Sequence, residues 1–462
     1  MTIPLHERSA RSVAADVWAG LLDATEVARH FIDRVQALNP QLNAIVQFDP
    51  DRVLAEAGEV QRRRDTGEAL PLAGVPITVK DNLWVQGYRI TQGSLLFEDF
   101  IAPRDAWAVA RLRALGAVVL GITNCSEFAC KGATDNLIYG ATRHPVDAGL
   151  TPGGSSGGAV SALTSGLGLL ALATDAGGST RRPAAHCGLV GLKPSAGLIP
   201  HPWGFAEPNY GLSVIGILAR SVADCAWTFD QLAAYDAGDP AGVPIDCGLQ
   251  AGDTASPRGL RIAWSPQLGC DFAIDEDVLA ALQARVDALR AAGWQIEDAD
   301  PPWPAEAREY PLIALQQAGL HALYGGRLAS ERKRIDPSLV MQIEAGARCT
   351  PADIARALRL RERIGHALAG FFERHDLLLC PTAPVTAWPI GQLGPPVIGG
   401  RPAGPRSHAA FTPLFNYCGV PACSVPAGSV RGLPVGLQVV GPRYEDARVL
   451  AFARQVEYSG QL

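Results

Sequence analysis

Residues 152–183 place two glycine–serine loops on either side of an apolar run, in the order PGGSSGG, AVSALTSGLGLLALAT and DAGGSTRRP. A loop of that composition is either a flexible linker or a point where backbone must approach something closely, because glycine reaches conformations closed to other residues. The flanks decide between these. Small residues from Gly157 onward suit a closely packed helix, and LLALAT reads as a buried strand, so both loops hang from patterned elements. Serines embedded in such turns are exposed, oriented and surrounded by backbone N–H groups. The segment is a site rather than a linker.

The rest of the chain supplies the sheet that such a strand requires. Residues 24–38 read as an amphipathic helix, with Asp23 placed to cap it, Glu26 three positions on, and Asn39-Pro40 as a stop. A charged helix follows over about 50–64, and LAGVPITVKDN is a short buried strand ending at Lys80. Helix 104–115 precedes the strand AVVLGIT, with Gly116 at the helix end. This alternation predicts an α/β fold, a large mixed central sheet covered by helices on both faces. The Gly-, Pro- and Asp-rich stretch 235–259 reads as an exposed connector. Beyond it, 260–375 is mostly helical around a short strand at LRIAWS. The strand LLLCPT, a Gly/Pro loop at 391–405, the strand PVGLQVVG and a helix at 444–458 follow. Strand-like segments on both sides of the connector favour one domain over 1–462. Its parts are N-terminal helices to about 65, a core region at about 66–230, a helical substrate-side region at about 260–375, and a return to the sheet from about 376.

Composition narrows the function classes. Lys and Arg total 40 against 46 Asp and Glu, a net charge of −6 with no basic block, so no nucleic-acid partner is expected. The ten cysteines include no pair at zinc-knuckle or redox spacing, and several lie in apolar runs, which fits free thiols in a reducing cytoplasm. No apolar leader and no run near 18 apolar residues is present, so a membrane span is not expected.

Three site readings fit the glycine–serine loops. Gly153-Gly154-Ser155-Ser156-Gly157 matches the G-x-S-x-G elbow of an α/β-hydrolase esterase, but that motif needs a strand just before the serine, and HPVDAGLTP is a poor one. Gly166-x-Gly168-x-x-Ala171 matches a dinucleotide fingerprint formally, yet runs into a strand where it should open a helix. The third reading takes both loops with VKDN around Lys80. Together with TNCSEFA (123–129), GLKPSAG (191–197), ARSVADCA (219–226) and FNYCGVPACSVPAG, these segments resemble the amidase signature family over most of the chain.

That resemblance implies a Ser-Ser-Lys triad: Ser179 as nucleophile, Ser155 as bridging serine and Lys80 as base. It also implies a cis peptide bond entering Ser155. A serine hydroxyl attacks only when a base takes its proton, and lysine serves if it is neutral. For work near neutrality its pKa must fall from about 10.4 to around 7, roughly 4 kcal/mol, which burial at the end of GVPITV can supply. Backbone N–H groups of Ala176, Gly177, Gly178 and Ser179 are the expected oxyanion hole, helped by the dipole of a helix carrying Pro183 in its first turn. Asp175 and Arg181 are expected to pair and brace the loop, with Ser156 hydrogen-bonding inside its turn. Thr180 stands where the family more often has an aliphatic residue. No metal or organic cofactor is called for.

The implied function is hydrolysis of a small-molecule linear carboxamide through a serine acyl-enzyme, with a homodimer left open. The alternative is the glutamine-hydrolysing component of a tRNA-dependent amidotransferase. That branch has an acidic residue just before Phe-Thr-x-Pro, where Ala409 and Ala410 stand here, and a basic residue that is missing from VMQIEAG at 340–346. Substrate contacts are expected from 201–210 and 304–350. Trp203, Phe205 and Tyr210 either line the pocket or cap the core, and His186 and His408 read as structural residues.

Overall fold

The computed structural model describes residues 3–245, 259–308 and 313–459. The connector expected at 235–259 lies outside the described residues from 246 to 258; residues 235–245 form an irregular loop. Among the described residues, thirteen strands follow in chain order: β1 (Ile45–Gln47), β2 (Pro76–Lys80), β3 (Val118–Thr123), β4 (Leu170–Asp175), β5 (Val190–Lys193), β6 (Val214–Ala219), β7 (Ile262–Trp264), β8 (Ile296–Asp298), β9 (Leu377–Pro381), β10 (Val397–Ile398), β11 (Arg401–Pro402), β12 (Ala422–Val430) and β13 (Leu433–Val440). Eleven of them form one sheet in the order β1-β3-β2-β4-β6-β5-β12-β13-β9-β7-β8, which takes strands from both sides of the connector. The sheet is mixed: β2 runs parallel to β3 and β4, whereas β4–β6, β5–β12 and β12–β13 are antiparallel.

Strand β4 shows why the sheet must be covered on both faces. Leu170 and Leu172 point into the large core, while Ala171 and Ala173 pack with Ala159, Val160 and Ala184. The second face is covered by the helices Gly157–Thr164 and Arg181–Cys187, which directly follow the two glycine–serine loops. Small side chains on both partners bring these helices close to the sheet. A Cβ on Gly158 would overlap the backbone of Asn124 and Ala44, so only glycine fits there. The expected α/β architecture is therefore present, and its tight face is the one that carries the serines.

Several boundaries differ from the sequence expectation. Asp23 does cap its helix, accepting from the N–H groups of Thr25 and Glu26, but the helix runs Ala24–Leu42 with Pro40 inside it. Proline removes one helical hydrogen bond, and here the carbonyl left over belongs to exposed Gln36, where water can reach it. The helix ends instead at Asn43, in a left-handed conformation, while Asn39 Oδ1 accepts from the N–H groups of Ala44 and Ile45. The mostly helical region also contains an unforeseen strand, β8, paired in parallel with β7. Within the 391–405 loop, β10 and β11 form a two-stranded hairpin.

Candidate active site

Parallel strands β2 and β4 end side by side within the sheet, which sets Lys80 beside Thr174 and Asp175 at the C-terminal ends of these strands. Lys80 is 0% exposed, and its Nζ donates to Ser155 Oγ at 2.7 Å and to Thr174 Oγ1 at 3.0 Å. Asn82 Nδ2 donates to the same Thr174 oxygen at 2.9 Å. Burial pushes the Lys80 amine down from its ordinary value to about 8, against a smaller opposing pull from Asp175. Ser155 is fully buried, and the Gly154–Ser155 peptide bond is cis, as the resemblance implied. Sequence reading misses Thr174 and Asn82, although both stand within the quoted segments TDAGGST and VKDN. Only the pairing of β2 with β4 shows that they meet.

The second loop is organised around the Asp175 carboxylate. Arg181 donates to it twice, Nε to Oδ2 at 3.0 Å and Nη2 to Oδ1 at 2.9 Å, with both side chains fully buried. Burial drives this carboxyl up, but the guanidinium and Asn416 overcome it and hold the group well below the usual carboxylate range. Arg181 is itself fixed by Gln438 Oε1 at 2.6 Å and Asn416 Oδ1 at 2.5 Å. The expected Asp175–Arg181 pair is present. A buried ion pair that loses one member leaves an uncompensated charge, so Arg181→Met is expected to destabilise the fold by about 3–5 kcal/mol. Chemical denaturation measures that loss, and a cost below about 1 kcal/mol would contradict the bracing role.

Two expectations for this loop need correction. The Gly178 N–H donates to Asp175 Oδ1 at 2.7 Å, so it is committed to the brace and not to the cavity. The cavity is instead lined by Ala176, Gly177 and Ser179. Gly178 is in its position because φ is +108° and a Cβ would collide with the Thr412 side chain, which donates to Gly177 O at 2.8 Å. Ser156 does not hydrogen-bond within its turn: its buried hydroxyl has no partner among the described residues.

Ser179 is 6% exposed and lines a cavity of about 250 Å³. Among the described residues its hydroxyl makes no hydrogen bond, and none joins it to Ser155. Larger cavities of about 450 and 610 Å³ lie elsewhere on the surface without either serine, so size does not locate this site. The opposite wall comes from the helical region, through Gln316, Gln317 and Gln342. Trp203, Phe205 and Tyr210 do not line it. Trp203 donates to Asp105 O at 2.8 Å, Phe205 packs on Trp84, Phe97 and Phe100, and Tyr210 is exposed. Their neighbour Asn209 reaches the cavity instead. So does His408, which reads from sequence as a structural residue; burial, Arg182 and His186 hold its ring well below the ordinary imidazole value. His186 packs edge-on against Trp388 instead. A cation also enters from an unforeseen element: Arg406 Nη2 donates to Gln342 Oε1 at 2.6 Å.

The family model described as Amidase matches residues 26–450. The chain belongs to the amidase signature family. Across its length this amidase is 37% identical to an acylamidase from Rhodococcus erythropolis, over 98% of the chain and 95% of that protein. It is 32% identical to the A subunit of the glutamyl-tRNA(Gln) amidotransferase from Chromobacterium violaceum, over 98% of each. Among solved structures, the amidase superimposes on a bacterial aryl acylamidase of the amidase signature family with a TM-score of 0.91, at 27% identity and covering 100% of this chain and 98% of that one. A 6-aminohexanoate cyclic dimer hydrolase complexed with substrate gives a TM-score of 0.87 at 28% identity, covering 99% and 98%. The amidase is thus an enzyme of a family acting on amides. Among its described residues no helix is long and apolar enough to cross a membrane.

Proposed function

We propose that the chain is a stand-alone hydrolase of small linear carboxamides, working through an acyl-enzyme on Ser179. The observation that carries this reading is the 2.7 Å contact from a fully buried Lys80 amine to Ser155 Oγ. With the amine pushed down to about 8, roughly a quarter of it is neutral at pH 7.5. The neutral amine takes the Ser155 proton while Ser155 takes that of Ser179, whose oxygen attacks the amide carbon. The resulting oxyanion is held by backbone N–H groups of Ala176, Gly177 and Ser179, each worth about 10²–10³ in rate. The same path, run in reverse, gives the proton to the departing nitrogen, and water then frees the acid from Ser179.

Two observations weigh against the esterase reading. No strand leads directly into Ser155, and its hydroxyl accepts from a lysine rather than a histidine. The transamidase reading is favoured by the 32% identity to an amidotransferase component. Against it, Ala409, just before Phe411-Thr412-Pro413 where that branch is expected to place an acidic residue, lines the cavity. The test is ammonia or amine release by the purified chain alone from linear amides, glutamine included. Turnover without added partner proteins or tRNA is expected. Turnover that requires both would assign the chain to the transamidase branch.

A further inference from the structure

Two large apolar side chains with substantial exposure line the same cavity as Ser179. Met341 is 61% exposed on the helix Pro337–Gly346, and Leu393 is 38% exposed in the loop that follows Trp388. Exposed apolar residues scattered singly are ordinary, but two from separate elements meeting at one concave site mark a surface that a ligand covers. Of the large exposed apolar residues described, only these two line the cavity. The polar wall beside them is internally bonded: Gln316 Nε2 donates to Gln342 Oε1 at 3.2 Å, and Arg406 donates to both carboxamides. The thioether and the isobutyl group therefore stand to lose the most water when the cavity fills.

We propose that Met341 and Leu393 form an apolar rim subsite, specific for an alkyl or aryl group on the limb of the amide that leaves the cavity. The proposal rests on Ser179 being the nucleophile. Methionine is unbranched and adapts to shape, so selection should follow the apolar size of the group more than its outline.

The test measures kcat/KM for two series, straight-chain primary amides from acetamide to octanamide and N-alkyl acetamides from N-methyl to N-hexyl. In at least one series the wild-type value is expected to rise about two- to fourfold per methylene over the first three or four and then level. Met341→Ser and Leu393→Ser should each flatten that slope, the double variant should bring it close to one, and Met341→Leu should retain it. A flat wild-type response in both series, or an undiminished slope in the double variant, overturns the proposal. So does light scattering that shows the double variant breaking up an oligomer while the slope persists, since the rim would then cover a second copy of the chain. Failure of the underlying reading looks different: a fluorophosphonate would leave Ser179 unlabelled, and no amide of either series would be hydrolysed.

Discussion

Replacing Ser179 with alanine is expected to lower amide hydrolysis by about 10⁴- to 10⁶-fold, the range seen when a catalytic serine is removed from a serine hydrolase. The fold should not suffer. The Ser179 side chain is 6% exposed and its hydroxyl has no hydrogen-bond partner among the described residues, so truncation strands no buried polar group. Neither does it disturb the brace, which acts through the backbone N–H groups of Gly178 and Thr180 and the side chain of Arg181. Fluorophosphonate labelling followed by peptide mapping checks the assignment, with the label expected on Ser179 in the wild type and absent from the variant. Label found on Ser155, or activity kept within about tenfold, would remove Ser179 from the role of nucleophile.

The second large effect is expected from Lys80→Met, which keeps an unbranched side chain of similar length and removes the amine. Under the proposed mechanism hydrolysis should fall by about 10³- to 10⁵-fold, since the serine pair loses its base while the oxyanion donors stay in place. Two buried hydroxyls, on Ser155 and Thr174, also lose a donor, at a cost of about 1–3 kcal/mol in stability. Circular dichroism and thermal melts separate that modest loss from unfolding. A folded Lys80→Met protein with near wild-type rates would show that another group takes the proton.

The tight face of the fold was legible because its chemistry is local. Alternating residues of LLALAT divide between two cores, and among the glycines around the serines Gly154 and Gly158 are required by near backbone and Gly178 by the Thr412 side chain, so composition and position carry the same message. The Asp175–Arg181 pair was legible for the same reason, being formed within one loop. What escaped depends on distant partners. Strand β8 is three residues long and exists because β7 offers an edge, and Pro40 is tolerated because its orphaned carbonyl faces water. Gly178 reads as an oxyanion donor until the Asp175 carboxylate is seen to take its N–H. The substrate wall was hardest to read. Gln316, Gln342 and Arg406 come from two helices and a loop with no shared motif, and nothing in HPWGFAEPNY distinguishes Asn209 from the aromatic residues beside it.

The proposed mechanism requires a neutral lysine amine acting through one hydroxyl, and the most direct test is the rate of fluorophosphonate labelling of Ser179 against pH. A base must be deprotonated to act, so the rate should climb about tenfold per pH unit in the acid range and level off above a single midpoint near 8, where burial has set the Lys80 amine. A rate that is flat from about pH 6 to 10, or that titrates near 6.5 as a histidine would, contradicts it.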